Sequence, residues 1–262
     1  MYSYRAAAQI PPGATVYEQR TLALPSTSSP VKATIYQDAQ DSTAGVLLEK
    51  DGKQVGRVTQ QNVIRLSEGT GLYDLTGDGV PNIVLVGVAG GKTLAAVVYS
   101  FQSDRLAIIG QWSGWGFKVI HPGGKPMVAV TPTEYGSLTD LYIWDGKTFQ
   151  HCNERFPESY KAEIQAQWKA LDQSHVPAYV FAQACQLGAT ALVYGKKYAE
   201  AEALCTKARQ AVNTTSRLIP SQIGSSADIV RQDQAAAERR ISSALASVDQ
   251  AKQRNATALS LD

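Results

Sequence analysis

The sequence predicts an α+β protein in which an N-terminal antiparallel β domain precedes a C-terminal all-α helical-hairpin domain. Short apolar runs such as residues 83–88 alternate with turn residues up to about residue 155, which is typical of strands. Beyond that point Gly becomes rare, and apolar residues recur at helical spacing, as at Tyr160, Ile164 and Trp168. The change predicts a β domain over 1–152, a helical domain over 153–252 and a flexible tail over 253–262.

Composition and charge exclude several classes of protein. The chain of 262 residues is 44% hydrophobic and 18% charged, which favours a folded protein over a disordered one. Lys and Arg total 25 against 23 Asp and Glu, and a net charge of +2 does not favour nucleic-acid binding. No run of 18 apolar residues is present, so we expect no membrane span. Export would require a signal peptide that has already been removed, because the first residues lack the pattern of one.

The β half contains three similar units that begin at Pro30, Pro81 and Pro126. A proline is tolerated at the start of a strand, where no ladder donor is needed. Each unit continues as strand, turn, strand, tight turn, strand, with the tight turns at Asp51-Gly52, Ser103-Asp104 and Asp145-Gly146. A spacing of 51 and 45 residues between the prolines is typical of propeller blades. Three blades cannot close a ring, so the sequence predicts a partial propeller, a sandwich of such units, or an open fan covered by the helical half.

One loop, between the first and second units, carries the side chains of a cation site. Oxygen ligands alternate along it at relative positions 1, 3, 5, 7 and 9: Asp74, Thr76, Asp78, the carbonyl of Val80, and Asn82. Gly79, at position 6, allows a sharp bend, and this alternation is how a short loop wraps calcium. An EF-hand is excluded, because position 12 is Leu85 and a strand follows instead of a helix. The alternative is an empty Asp/Gly turn whose carboxylates accept backbone N–H bonds.

Residues 74–84 resemble the calcium loop and following strand of FG-GAP/VCBS-type β-propeller repeats, and the resemblance extends over about residues 70–150. It implies that a calcium ion stiffens a turn within a blade, with the five oxygen ligands above holding it. Asn82 stands where that family usually has Asp, which removes one charge and predicts weak binding. The equivalent stretch of the third unit, residues 120–125, keeps the glycines but has no carboxylate, so no ion is expected there.

Two further motifs lie in the β half. Trp112 and Trp115 flank a Ser-Gly pair and are candidates for a sugar-stacking platform, although aromatic residues in short strands more often belong to the core. Residues 87–93 end in Gly-Gly-Lys-Thr like a phosphate-binding loop. Val86 stands where the first glycine of that motif is required, and a strand follows in place of a helix, so nucleotide binding is set aside.

The helical half resembles a tetratricopeptide repeat over one helical hairpin. The resemblance rests on residues spread over both arms and the turn of the hairpin: Leu187, Gly188, Ala191, Tyr194, Gly195, Tyr198, Ala201, Cys205 and Ala208. It implies a groove for a partner peptide, and the alternative is a bundle that packs on the β half. We predict helices over 158–173, 177–194, 197–212 and 225–252. An apolar stripe predicts burial of Tyr160, Trp168, Leu187, Tyr198 and Leu204.

The three cysteines, Cys152, Cys185 and Cys205, form no zinc-binding pattern. Cys185 and Cys205 lie on the two arms of the predicted hairpin, where they form either a disulfide or two small core contacts.

These features together predict a non-enzymatic binding or scaffolding protein with one structural calcium ion. We expect a protein or peptide partner and a periplasmic or secreted location, with the cytoplasm as the alternative, because weak calcium sites suit an extracellular setting. The alternative function is a carbohydrate-active enzyme or a lectin-like carbohydrate-binding module that uses Trp112 and Trp115.

Overall fold

The structure is a computed structural model, and it confirms the α+β class: antiparallel sheets form the N-terminal part and helices the C-terminal part. The residues that it describes are 10–23, 29–102, 105–133, 138–172, 177–215 and 227–259. They divide into two compact units, each described here by itself. The β unit contains the described residues up to 133 together with Thr139–Cys152, and the helical unit contains Leu138 and the described residues from 153 onward.

In the part of the β unit that the structure describes, three antiparallel sheets follow one another along the chain. The first sheet has strands β1 (Thr15–Leu22), β2 (Val31–Asp38), β3 (Thr43–Lys50) and β4 (Lys53–Gln60) in sequential order. The turn at Asp51-Gly52 between β3 and β4 has φ of 51° and 73°, the two positive values that a type I′ hairpin requires. The predicted Asp-Gly turn is therefore confirmed at this position.

The second sheet is built around three long strands. Its strands are β5 (Arg65–Leu66), β6 (Gly71–Tyr73), β7 (Asn82–Gly90), β8 (Thr93–Gln102) and β9 (Arg105–Gly114), with both β5 and β6 paired to β7. The tight turn predicted at Ser103 and Asp104 lies outside the described residues.

The third sheet is smaller. It comprises β10 (Gly116–Ile120), β11 (Met127–Thr131), β12 (Asp140–Trp144) and β13 (Phe149–His151) in sequential order. Pro30, Pro81 and Pro126 each stand directly before a strand, as predicted. The sequence did not reveal that every three-stranded unit is preceded by a further strand, namely β1, β6 or β10.

Strands β7 and β8 of the second sheet are buried on both faces. Ile83, Leu85 and Val97 pack with the apolar side chains of the first sheet, whereas Val84 and Val98 pack with those of the third. Successive side chains of a strand point to opposite faces, so an uninterrupted apolar run fills two cores at once. This explains why residues 83–88 contain no polar residue.

The described residues of the helical unit form four α-helices: α1 (Lys161–Ala170), α2 (Ala178–Tyr194), α3 (Tyr198–Thr215) and α4 (Ala227–Leu259). Residues 157–160 form a 3₁₀ turn before α1, not the first turn of the predicted helix. The predicted end of the last helix at residue 252 is also wrong, because α4 continues to Leu259. No Gly or Pro in this segment signals a helix end, and residues 260–262 lie outside the described residues. No helix among the described residues is long and apolar enough to cross a membrane.

Small residues bring α2 and α3 close together, as predicted. Gly188, Ala201 and Ala208 are buried, and a Cβ at Gly188 would run into the Leu204 side chain. The disulfide alternative holds for the cysteine pair: Cys185 and Cys205 are bonded, fully buried, and joined across a Cα–Cα distance of 4.9 Å. Cys152 is buried in the β unit, where its thiol donates a hydrogen bond to the backbone carbonyl of Leu141 at 3.3 Å.

The predicted apolar stripe of the helices is correct in part. Tyr160 and Leu204 are buried at 1% and 0% exposure, whereas Trp168 and Tyr198 are partly buried against the helical core. Leu187 is only partly buried and does not belong to that core, so its prediction is wrong. Its neighbours in sequence, Cys185, Gly188 and Ala189, are the buried residues of this turn.

Candidate functional site

The loop with the candidate calcium ligands joins β6 to β7 in the second sheet. Tyr73 pairs with Asn82 across its base, and the residues between them close the hairpin. Gly77 and Gly79 have φ of 74° and 82°, in the left-handed region that glycine adopts without strain. Asp74, Asp78 and both glycines are exposed, whereas Asn82 is buried. Burial, together with the neighbouring Glu18 carboxylate, raises the pKa of Tyr73 at the base of the loop.

The carboxylates of this loop accept hydrogen bonds from backbone N–H groups. Asp74 accepts hydrogen bonds from the N–H of Gly77 (2.7 Å) on one oxygen and from that of Gly79 (3.0 Å) on the other. Asp78 accepts one from the N–H of Val80 at 2.9 Å. The Asp78 bond is that of an Asx turn, and together with the two Asp74 bonds it holds the loop without requiring an ion.

The buried side chain of Asn82 is hydrogen-bonded to the backbone of the loop. Its Oδ1 accepts hydrogen bonds from the N–H groups of Leu75 (2.8 Å) and Thr76 (3.2 Å), which occupy both lone pairs of an amide oxygen. Its Nδ2 is buried and has no hydrogen-bond partner within the described part of the chain. The side chain that the sequence identifies as a weakened ligand is therefore a brace of the loop in this structure.

The residues fit calcium in part. Asp74, Thr76, Asp78 and the Val80 carbonyl offer oxygen atoms of the type that calcium prefers, and each carboxylate oxygen keeps a lone pair beyond its N–H bond. Within the described ranges, no three His, Cys, Asp or Glu side chains lie close enough together to form a metal-binding group. Calcium binding by this loop stays a prediction.

The two tryptophans have different surroundings. The Trp112 ring is partly buried among aromatic rings, with its centroid 5.1 Å from that of Phe149 and 5.5 Å from that of Tyr142. Trp115 follows β9 directly and is 41% exposed. It lines a cavity of about 420 Å³ with Arg65, Ser67, Val88, Gly91, Lys92 and Leu94. Trp112 therefore belongs to the aromatic part of the core, and Trp115 faces a cavity that the sequence did not reveal.

The helical unit contains a groove of about 520 Å³. Its lining comes from the 3₁₀ turn, one face of α1, the end of α2 and the start of α3: Pro157, Glu158, Lys161, Ile164, Gln165, Trp168, Ala191, Leu192, Gly195, Lys197 and Glu200. Residues 161, 164, 165 and 168 have the spacing that places side chains on one helix face. The groove therefore follows the side of α1 along the junction of α2 and α3.

The floor of this groove is apolar and its rim is charged. Ile164 and Trp168 are partly buried against the helical core, and Leu192 is 1% exposed. The Lys207 ammonium lies 5.6 Å from the centroid of the Trp168 ring, a cation–π arrangement that holds the indole in place. At the rim, Lys197 and Glu200 approach to 3.9 Å as an exposed ion pair. The arrangement can hold an apolar side chain between charged walls.

Sequence patterns indicate only part of this groove. They place Gly195 at the turn of the predicted hairpin but do not identify Lys161, Gln165 or Lys197 as functional residues. The one available signal was the 161–164–165–168 spacing, which mixes two polar residues into an otherwise apolar helix face.

Comparison of the chain with protein-family models, with curated proteins and with solved structures gives no match in any of the three.

Proposed function

We propose that this chain is a non-enzymatic binding or scaffolding protein whose helical unit holds a short peptide of a partner protein. The observation that carries the proposal is the groove of about 520 Å³ along α1, with its apolar floor and charged rim. Apolar anchors in preformed pockets, ringed by polar contacts, dominate the energetics of peptide and protein recognition.

The chemistry of the groove indicates what kind of peptide it takes. Ile164, Trp168 and Leu192 favour an aliphatic or aromatic anchor side chain at the centre of the peptide. Lys161 and Lys197 stand at the rim together with Glu158 and Glu200, so residues of either charge can flank that anchor. The core behind the floor includes the disulfide and the close α2–α3 contact, which limits the ordering cost of binding.

The proposed location is periplasmic or secreted. A disulfide persists in oxidising compartments and is rare in the cytosol, and the Cys185–Cys205 bond supports this location. The β unit is proposed to be a scaffold of propeller-blade-like repeats, stiffened by calcium at the Asp74–Asn82 loop. Three successive sheets, of which the first and third run through four strands in sequential order, support the resemblance to such blades.

The groove can be tested with peptides selected from a random display library on the full chain. Gln165→Trp places an indole in the groove, whereas Ala166→Trp places the same indole at the next exposed position, outside the groove lining. Selected peptides should lose about tenfold or more in affinity for Gln165→Trp in calorimetric titration and bind Ala166→Trp as they bind the parent. Equal binding to both variants, or failure to select any peptide, would overturn the proposal.

A further inference from the structure

We infer that the cavity at the end of the second sheet, beside Trp115, is a binding site for an anionic saccharide, a sugar that carries carboxylate or sulfate groups. This inference is independent of the peptide groove, because the cavity lies within the β unit and shares no lining residue with it.

The position of the cavity follows from the register of the sheet. Arg65 pairs with Val88, Val88 pairs with Leu94, and Leu94 pairs with Gly114, so these four residues form one row across the strands. Paired residues of antiparallel strands point to the same face. The row therefore places a cation at one side and two apolar residues in the middle, and it ends at Gly114. Trp115, which follows Gly114 outside β9, lines the cavity beside that end of the row.

The lining combines an aromatic surface with positive charge. Trp115 is 41% exposed, and an exposed indole face packs against the C–H groups on one face of a pyranose ring. Val88 and Leu94 supply an apolar floor beneath it. Arg65 and Lys92 are exposed at the cavity, and a guanidinium pairs with a carboxylate or sulfate through two parallel hydrogen bonds.

Two sequence motifs that the peptide groove leaves unexplained meet at this cavity. The Gly-Gly-Lys-Thr segment forms the turn between β7 and β8, where Gly91 has φ of 56°, and it brings Lys92 to the cavity. The second aromatic residue of the Trp-Ser-Gly-Trp segment reaches the same place from the end of β9. A strand follows the lysine, so its ammonium meets a ligand at the end of a sheet and not at a helix N-terminus.

The residue types favour binding of an acidic sugar over other ligands. A neutral sugar would not need two cations, and a small inorganic anion would not need the indole. No Asp or Glu is among the described residues that line the cavity, so the acid–base pair of a glycosidase is not found there. Ser67, also in the lining, can bond to a hydroxyl or a sulfate oxygen.

The test is calorimetric titration of the full chain with three probes: a galacturonate oligosaccharide, a neutral oligosaccharide of the same length, and inorganic sulfate. We expect the galacturonate oligosaccharide to bind about tenfold or more tightly than either of the others, and its affinity to fall as salt is raised. Arg65→Gln combined with Lys92→Gln should weaken it about tenfold or more, and Trp115→Ala should weaken it while leaving the response to sulfate unchanged. Lys118→Gln, which removes an exposed cation outside the cavity lining, is the matched control.

Other outcomes would overturn the inference. Equal affinity for the acidic and the neutral oligosaccharide would show that the cations do not contribute to binding. Sulfate binding as tight as that of the acidic sugar would show that the cavity is a simple anion site. No binding of any probe, or equal loss of affinity in the Lys118→Gln control, would also contradict it. If a phosphopeptide of equal charge binds more tightly than the acidic sugar, the ligand class is wrong.

Discussion

The two units of this protein are stabilised by different kinds of core. The β unit buries branched and aliphatic residues between three sheets, with Ile83, Leu85 and Val86 fully inaccessible. Much of the helical core consists of small residues, including Ala182, Ala208 and the bonded cysteines, all at 0% exposure. Small residues let helices approach closely but bury little apolar area each. The β unit therefore depends on its large side chains, whereas the helical unit depends more on close contact and on its cross-link.

The largest expected effect is the loss of a large side chain from the β unit. Leu85 is inaccessible between the first and second sheets, so Leu85→Ala should lower the free energy of unfolding by about 2–5 kcal/mol. The matched control is Ile108→Ala in β9, where the side chain is 58% exposed and the change should be within about 0.5 kcal/mol. Urea unfolding measures the free energy of unfolding of both variants, and hydrogen exchange shows which strands lose stability. Similar effects of the two substitutions would contradict the stacked-sheet core.

The cross-link should matter next, and only for the helical unit. Cys185 and Cys205 are 20 residues apart, and closing a loop of that length stabilises a protein by about 3 kcal/mol in the chain-entropy estimate. Cys185→Ala combined with Cys205→Ala should therefore speed hydrogen exchange in α2 and α3 but leave that of β7 and β8 unchanged. Reductant should reproduce the effect in the parent chain and add nothing in the double variant. Faster exchange in both units alike would contradict the contrast between them.

Calcium should stabilise the β unit by a smaller amount. The loop offers two carboxylates, so we expect a dissociation constant of roughly 10⁻⁴–10⁻³ M. Calcium at ten times that constant should raise the free energy of unfolding by about 1.4 kcal/mol, and Asp78→Ala should abolish the increment.

The control for the calcium loop is Asp145→Ala. Asp145 also braces a turn by accepting backbone N–H bonds, and that turn has no calcium-loop pattern. Each alanine variant loses a turn bond, but only Asp78→Ala should lose the response to calcium. An unfolding temperature of calcium-free protein that does not change on adding calcium would reduce the Asp74–Asn82 loop to a turn held by its own hydrogen bonds.

The smallest effect is a pH dependence at the Asp145-Gly146 turn. The N–H groups of Thr148 and Lys147 donate to the Asp145 carboxylate and lower its pKa. A carboxyl whose pKa is lower in the folded state stabilises the fold above its unfolded-state pKa, and this contribution disappears as the pH falls through the folded-state value. Asp145→Asn keeps the acceptor oxygen but not the charge, so its unfolding free energy should fall less than that of the parent below about pH 4. If urea titrations show that the unfolding free energies of the two proteins fall equally with pH, this role of the Asp145 carboxylate is contradicted.

Features that a few neighbouring residues determine could be predicted from the sequence. Pro30, Pro81 and Pro126 mark strand starts because proline restricts its own backbone, and Asp51-Gly52 marks a hairpin because both residues adopt positive φ. Gly188 and Ala208 predict a close helix contact because they are small: a Cβ at Gly188 would run into a neighbouring side chain, and Ala208 is fully buried.

Features that depend on distant residues could not be predicted. Strand β1 is mostly exposed, so its sequence lacks the apolar alternation that identifies a strand. The pairing of Arg65 with Val88, and of Val88 with Leu94, depends on strand register, which no local pattern encodes. The peptide groove forms only where α1, α2 and α3 come together. In the sequence alone, its polar residues look like ordinary surface residues. The structural role of Asn82 could not be predicted either, because its amide oxygen accepts a hydrogen bond from a backbone N–H group several residues away in the loop.

Chemical-shift mapping would show whether the helical unit binds a peptide in the groove along α1. A display-selected peptide would be titrated into the full isotope-labelled chain, and backbone amide shifts would be followed in both units. We predict shifts confined to residues 157–168 and 191–200, which contain the groove lining, with none at the Asp74–Asn82 loop or beside Trp115. Shifts that cluster in the β unit, or that leave residues 161–168 unchanged, would contradict peptide binding in this groove.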